Sequence, residues 1–480
     1  MSGISEESSL EFKRAPIVAL LLTGGFVTIL NQTLLITALP SIMREFHISA
    51  STVQWITTGF MLTNGVMIPI TAFLLRRFTT RQLFFAAMSI FSIGALIAGT
   101  ANMFPVLLLG RIVQACGAGI MMPLMQTVFL TIFPREKRGA AMGMVGLVIS
   151  FAPAIGPTFA GWLVDQYSWR ILFFIVLPIA LLDLVFAFFY LKNVTKRTFP
   201  KIDVLSIVLS SLGFGGVLYG FSSAGASGWS SAEVELSLII GGATLICFIW
   251  RQLRLEEPML EFLVFQYGIF KLTTMINVIA FSSAIGAEML LPIYMQSTRG
   301  TSAFESGLLL LPGAIAMGIM SPIAGRIFDT YGARPLATIG MSIVVVTTIP
   351  LWLLSAHTSF IFICVMYTVR MAGVSMLLMP VNTAGLNELP LHLLPHGTAM
   401  TNTMRQVGAS IGTALLVTIM TNGAAHAEGK TMNEALVHGI NLAFLVCEAF
   451  AVLGLGLSFY IKRAQSKKQP AETASVKGAG

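Results

Sequence analysis

The sequence predicts an all-α integral membrane protein with fourteen transmembrane helices, and three observations predict it. The first is charge. Asp, Glu, Lys and Arg make up 10% of the 480 residues while 55% are hydrophobic, and mean hydropathy is +0.83. Soluble domains carry about 25% charged residues, so a large water-soluble enzyme is excluded. The second is length. Apolar runs of roughly 18 residues or more, each able to cross a bilayer, recur from end to end between short charged loops. They do not alternate as membrane strands would, which excludes a barrel. The third is the uneven placing of the basic residues.

Hydropathy and helix breakers place the spans at 17–39, 52–75, 83–101, 105–132, 140–163, 170–191, 204–222, 236–250, 271–296, 305–328, 335–355, 359–381, 398–422 and 440–461. The first is too long for a signal-peptide core and has no small-residue cleavage site behind it, so it reads as an uncleaved helix. With the N-terminus inside, cytosolic segments hold 21 of the 29 Lys and Arg, whereas outer segments hold four, Arg44, Arg170, Arg299 and Lys430. That bias calls for an even number of spans with both termini cytosolic. The net charge of +8 is mostly this collar and not a nucleic-acid surface. Cys116, Cys247, Cys364 and Cys447 fall singly within spans and read as packing. The six histidines lack ligand spacing, so no metal site is expected.

The chain repeats itself. "AFLLRRFTTRQL" (72–83) and "AGRIFDTYGARPL" (324–336) share the pattern Gly-x-x-x-Asp-x-x-Gly-x-Arg. The second copy keeps Gly325, Asp329, Gly332 and Arg334; the first has Ala72, Arg76, Thr79 and Arg81. Segment 133–143 likewise matches 394–400, and 110–123 matches 369–380. Helices two, four and five thus correspond to ten, twelve and thirteen. An offset of eight helices gives a parallel repeat: a six-helix half over 1–200, a two-helix insert with its cytosolic linker over 201–262, a second half over 263–462, and a basic tail over 463–480. Such repeats place a substrate cavity between the halves near the midplane and work by rocking.

Further stretches sharpen the pattern: "TALP" after the first span, Arg111 with Gln114 and Gly117 in the fourth, "GPTFAGW" in the fifth, "SWRILFFIVLP" opening the sixth, "SGLLLLPGA" in the tenth and "MRQVGASIGTA" in the thirteenth. Over about residues 15 to 462 the chain resembles the major facilitator superfamily. Within it, the chain is similar to the fourteen-helix drug:proton antiporters of EmrB/QacA type, nearest to the lincomycin-resistance-like transporters of Gram-positive bacteria. The resemblance implies the major facilitator fold and a monomer in the bacterial cytoplasmic membrane. It implies alternating access that exports antibiotics or other toxic amphipathic compounds, driven by the proton gradient without a cofactor. Segment 143–161, with Gly156 and Pro157, resembles the antiporter signature, whose tight packing against the other half is expected to block leakage. Arg111 resembles the family's buried arginine, implicated in proton movement; bonding to carbonyls of helix one is the structural alternative.

Proton coupling needs a titratable group that alternates between environments. Three acids sit clearly within spans: Asp183, Glu288 and Glu448. Glu288 is the preferred coupling acid because the ninth span opens the second half, where the resemblance implies a cavity-lining helix; Asp183 comes next. Where many relatives have Leu-Asp-x-Thr in helix one, this chain reads "LNQT" (30–33), so Asn31 cannot titrate. A cavity lined by Asn31, Gln32, Gln126, Phe281 and Tyr294 would suit bulky amphipathic compounds of modest charge. In the repeated turns, Asp329 is expected to pair with an arginine or to accept from a helix N-terminus. Gly325 and Gly332 permit the close approach and the turn, while Arg76 replaces the acid in the first copy. Arg405 is close enough to its span end to snorkel. The alternative function is a nutrient or osmolyte uptake symporter, which would lack the "GP" signature and show a more polar cavity. No Gly-x-x-x-x-Gly-Lys-Ser/Thr loop and no catalytic cluster occurs, which disfavours nucleotide-driven transport and an enzyme.

Overall fold

In a bilayer every backbone polar group must find its partner internally, so long apolar runs become helices. The computed structural model describes residues 14–194, 197–355, 357–427 and 431–461, less the side chains of Ala50, Ser51, Ala154, Pro157, Thr158, Asp165, Ala303 and residues 225–227. Lys13 and the tail 463–480 lie outside the described residues. The helices are α1 (Arg14–Leu34), α2 (Leu39–Phe46), α3 (Ala50–Arg77), α4 (Thr80–Gly99), α5 (Phe104–Ile132), α6 (Arg138–Gln166), α7 (Ile171–Tyr190), α8 (Val204–Ser227), α9 (Ala232–Gln252), α10 (Gly268–Ile293), α11 (Ala303–Tyr331), α12 (Ala333–Thr348), α13 (Phe360–Asn387), α14 (Leu394–Ala425) and α15 (Met432–Ser458). Among the described residues 13 helices are long and apolar enough to cross a membrane. The other long helix, the 29-residue α6, includes side chains outside the description.

Several boundaries differ from the hydropathy reading, two of them for a plain chemical reason. The first helix ends at Leu34 and not at 39, because Pro40 cannot continue a helix and instead sits in the first turn of the short α2. The last begins at Met432 and not at 440. There the Thr431 side chain takes the Glu434 N–H while Glu434 reaches back to the Thr431 N–H, and this capping box starts the helix among polar residues.

Two buried cores hold the bundle, one drawing mainly on α1 to α7 and the other on α10 to α15. Equivalent contacts recur in both. α4 lies on the backbone of α5 at Gly94, Gly110 and Gly117, and α12 lies on α13 at Gly340 and Gly373. The intervening pair, α8 and α9, meets at Gly213, Gly216 and Gly241. α8 also packs on both α3 and α14, where Trp55 stacks on Tyr219 with ring centroids 5.5 Å apart. Leu236, Ile239, Ile246 and Trp250 leave the outer side of α9 exposed and apolar, as a lipid-facing helix requires. One end of the bundle carries Arg76, Arg77, Arg81, Arg135, Lys137 and Arg138 together with the start of α1 and the end of α15; it is called the basic end below.

Candidate functional site

Three arginines, Arg111, Arg370 and Arg405, and three acids, Asp183, Glu288 and Glu448, lie within spans. Among the described residues none of the six forms an ion pair within 4.0 Å; the two ion pairs found are Arg170–Glu45 and Arg251–Asp203. Charges at membrane depth are expensive and need a partner or a cavity. Each group answers that demand differently.

Arg111 is fully buried on α5. Its Nη1 donates to the side-chain and main-chain oxygens of Asn31 on α1, and to Gln114 Oε1 at 3.0 Å. Its guanidinium lies over the Phe60 ring, 4.2 Å from the centroid. Arg370 on α13 holds the corresponding place in the other core. Its Nη2 donates to Ser283 O and Oγ on α10 at 2.9 and 2.7 Å. Each buried arginine thus ties the fourth helix of its group to the first. Asn31 is therefore consumed by Arg111 and buried, not free to line a cavity.

The acids separate by environment. Asp183 is buried on α7 against Gly24 of α1, with Oδ2 unpartnered. Glu288 is exposed on α10, with Arg370 and Tyr367 of α13 near enough to act on it electrostatically. Glu448 on α15 has a buried, unpartnered Oε2 and also lies near Arg370.

At the basic end the two groups of helices are stitched together. Asp329 at the end of α11 accepts the N–H groups of Gly139 and Ala140, in the first turn of α6, at 2.7 and 2.8 Å. Of the two partners the sequence suggested for Asp329, the helix N-terminus is the one found. Gly325 makes this possible, since a Cβ there would collide with the Gly139 carbonyl. Gly332, at φ 80°, joins α11 to α12 in a conformation that suits glycine. Arg138 Nη1 donates to Asn387 Oδ1 at 2.9 Å, Ser321 Oγ to Gly143 O at 3.0 Å, and Asn402 Nδ2 to Gln126 Oε1 at 2.8 Å. Thr127 and Thr398 share a hydroxyl contact of 2.9 Å.

The first turn behaves differently. Arg76 Nε donates to Thr198 Oγ1 at 3.2 Å, and its Nη1 lies 3.3 Å from His396 Nε2. His396 Nδ1 already accepts the Glu261 N–H at 3.2 Å. A neutral imidazole accepts at one nitrogen, so His396 takes a hydrogen bond from Arg76 or from the Glu261 N–H but not from both. Arg77 donates to Pro200 O at 2.7 Å and Arg81 to Phe188 O at 2.8 Å. The arginines of this copy hold the last turn of α7 and the segment after it. Arg76 and His396 also line a cavity of about 920 Å³ at the basic end, with Thr131, Glu256, Tyr267 and His392.

Several expected residues sit elsewhere. Tyr294 does not line the space between the groups: it is fully buried, and its hydroxyl donates to Ser355 O at 2.5 Å, because a π-turn over Tyr294–Thr298 redirects the chain after α10. Gly156 faces Thr33 of α1 within its own group, and the cross-group contact of α6 is carried by Gly139, Gly143 and Gly146. The side chain of Pro157 lies outside the described residues. Arg334 is exposed, Gln32 and Phe281 are half-buried, and Gln126 is fully buried. Arg405 does not snorkel; it lies over the Phe281 ring, 4.5 Å from the centroid. Sequence reading missed His396, Asn387 and Asn402, for which no local signal exists. Among the described residues no group of three or more His, Cys, Asp or Glu is placed to hold a metal, and the four cysteines are free.

The major facilitator superfamily profile matches residues 21–413. The chain belongs to the major facilitator superfamily. It is 58% identical to the MFS-type transporter YcnB of Bacillus subtilis, over 96% of this chain and 98% of that one. It is 45% identical to the lincomycin resistance protein LmrB of Listeria monocytogenes, over 94% of this chain and 97% of that one. Among solved structures, the human organic anion transporter MFSD10 (TETRAN) superposes with a TM-score of 0.68 over 92% of this chain and 99% of that one, at 11% identity; that likeness shows the fold. The protein is therefore a multi-pass transporter of the multidrug branch of this superfamily, not an enzyme, and moves small molecules across a membrane of the bacterial cytoplasmic type.

Proposed function

We propose that this transporter is a drug:proton antiporter that exports toxic amphipathic compounds by alternating access. The observation that carries the reading is Glu288, an exposed acid on a membrane helix beside the buried Arg370. It occurs in a chain 45% identical to a lincomycin resistance protein. Protonation of Glu288 from outside would release its hold on Arg370 and favour one closure; drug entry on the opposite side would favour the other. Asp183 is the second candidate for carrying the proton, and Arg111 holds α1 in register through Asn31.

The reading includes a topology: fourteen spans, both termini and the basic end in the cytosol, α1 to α7 as one half, α8 and α9 as the insert, α10 to α15 as the other half. The charge bias of the loops and the two buried cores support it. The contacts of Asp329, Arg138, Ser321 and Asn402 would then be the closed inner gate. Substrate would be received between the two groups of helices, on the side where Gln32 and Phe281 are half-buried.

The test is proton-driven export in inverted vesicles. Glu288→Gln should abolish transport while leaving protein abundance unchanged. Full retention of transport would remove Glu288 from the role and promote Asp183.

A further inference from the structure

We propose that Arg405 is the recognition point for the acidic group of an amphipathic anion, so that carboxylate- or sulfonate-bearing aromatic compounds are among the solutes this protein binds. The proposal names a substrate class for the transport site above and rests on that reading for its relevance to export.

Arg405, half-buried, differs from the two fully buried arginines in what it lacks. Arg111 donates to Asn31 and Gln114, and Arg370 donates to Ser283. Among the described residues Arg405 has no hydrogen bond and no ion pair, and its Nε is buried without a partner. Its Nη1 and Nη2 are absent from the buried unpartnered atoms, so the outer edge of the guanidinium is open. Glu288, two turns along α10 from Phe281, does not neutralise it, because the charged neighbour of Glu288 is Arg370.

Placement points the same way. Asn402, one turn earlier on α14, bonds to Gln126 of α5 across the interface, so Arg405 stands beside the seam between the two groups of helices. Its flat face rests on Phe281 of α10. A guanidinium held by its face keeps its in-plane N–H donors pointing outward, the arrangement that grips a carboxylate or sulfonate with two parallel hydrogen bonds. Phe281, half-buried beneath the guanidinium, offers apolar surface for the aromatic part of an amphipathic molecule. An unpaired cation at this depth is costly; a bound anion offsets that cost where no protein group does.

The test compares two ligands that differ only in charge, 2-naphthoate and 2-naphthamide, titrated against the purified full-length protein by calorimetry. The wild type should bind naphthoate ~10-fold or more tightly than the amide, the factor expected of one charge-assisted contact. Arg405→Gln should remove that preference while leaving naphthamide affinity in place, and Arg405→Lys should keep part of it. Arg405→Gln should melt no lower than the wild type, since it removes a half-buried charge that no protein group pairs with. Equal wild-type affinities for the two ligands would overturn the proposal, as would an equal loss of both in Arg405→Gln at unchanged melting temperature. Binding needs no gradient, so this result is independent of the vesicle experiment: Glu288→Gln can stop export and still discriminate the two ligands.

Discussion

The carboxylate of Asp329 is the N-terminal cap of a helix it does not belong to: it accepts the N–H of Gly139 at 2.7 Å, and that of Ala140 at 2.8 Å, from 190 and 189 residues away. First-turn N–H groups have no partner within their own helix, and the helix dipole favours an anion there. Arg76, at the same place in the first repeat, instead shares the His396 imidazole with the Glu261 N–H, and that ring accepts from one of them only. The two turns are therefore unequal as bridges.

Asp329→Asn should impair transport far more than Arg76→Ala. An amide loses the charge, and hydrogen bonds to a charged group are worth about 1.5–3 kcal/mol, so the closed inner state weakens. Removing Arg76 forfeits a bond to Thr198 and a contact with His396 for which the Glu261 N–H competes. Initial rates in vesicles are expected to fall ~10-fold for Asp329→Asn and much less for Arg76→Ala. Equal effects would sink the asymmetry.

Gly325→Ala should open the same seam by a steric route. Its Cβ would meet the Gly139 main chain, which cannot swing aside as a side chain can. The expected outcome is faster labelling of a reporter cysteine at Thr127, in a background without native cysteines, by a reagent added at the basic end. Gly332→Ala, by contrast, strains a residue at φ 80°. With ψ at −176° this is a region essentially reserved for glycine, so the change should cost roughly 1–3 kcal/mol of stability, read as a lower melting temperature without faster labelling.

Arg111 uses Nη1 for Asn31 and leaves Nε and Nη2 buried without partners. Asn31→Asp should therefore be tolerated, since the new carboxylate meets an unneutralised cation, and it should add a titrating group to the pH profile of transport. Asn31→Leu removes the side-chain acceptor and leaves Arg111 with Gln114 and the main-chain oxygen at 31, at a cost of ~1.5–3 kcal/mol for a bond to a charged group. Melting curves in detergent order the three proteins; Asn31→Leu melting like the wild type would contradict the assignment.

The helical framework was legible because a bilayer leaves the chain so few options: apolar length gave the spans, and basic residues gave one end of the bundle. The repeated turn pointed to Asp329 and even to a helix N-terminus as its partner. Thr431 and Glu434 carried a readable capping signal that hydropathy alone passed over. What stayed hidden were pairings between distant residues, such as Arg138 with Asn387 and Gln126 with Asn402, because separations of 249 and 276 residues leave no periodic trace. Tyr294 was misplaced for a local reason: it sits where α10 passes into the π-turn, a transition that has no composition of its own.

The insert offers a pH test. Asp203 caps α8 by accepting the Ser206 N–H at 3.3 Å, and it pairs with Arg251 at the end of α9 at 2.9 and 3.1 Å. Partial burial pushes its carboxyl up, but the hydrogen bonds from Arg251 and Ser206 outweigh this and hold it below the usual carboxylate range. A depressed folded value means that the unfolded chain takes up the proton first as pH falls. The stabilisation is thus present above the ordinary aspartate pKa of about 3.9 and is lost as pH drops through the lower folded value. Asp203→Asn should melt below the wild type at pH 7, and the gap should narrow as pH falls below about 4. The pair is partly exposed, so the gap should be modest and should also shrink in high salt. A gap that persists unchanged at low pH would mean that Asp203 acts through shape and not through charge.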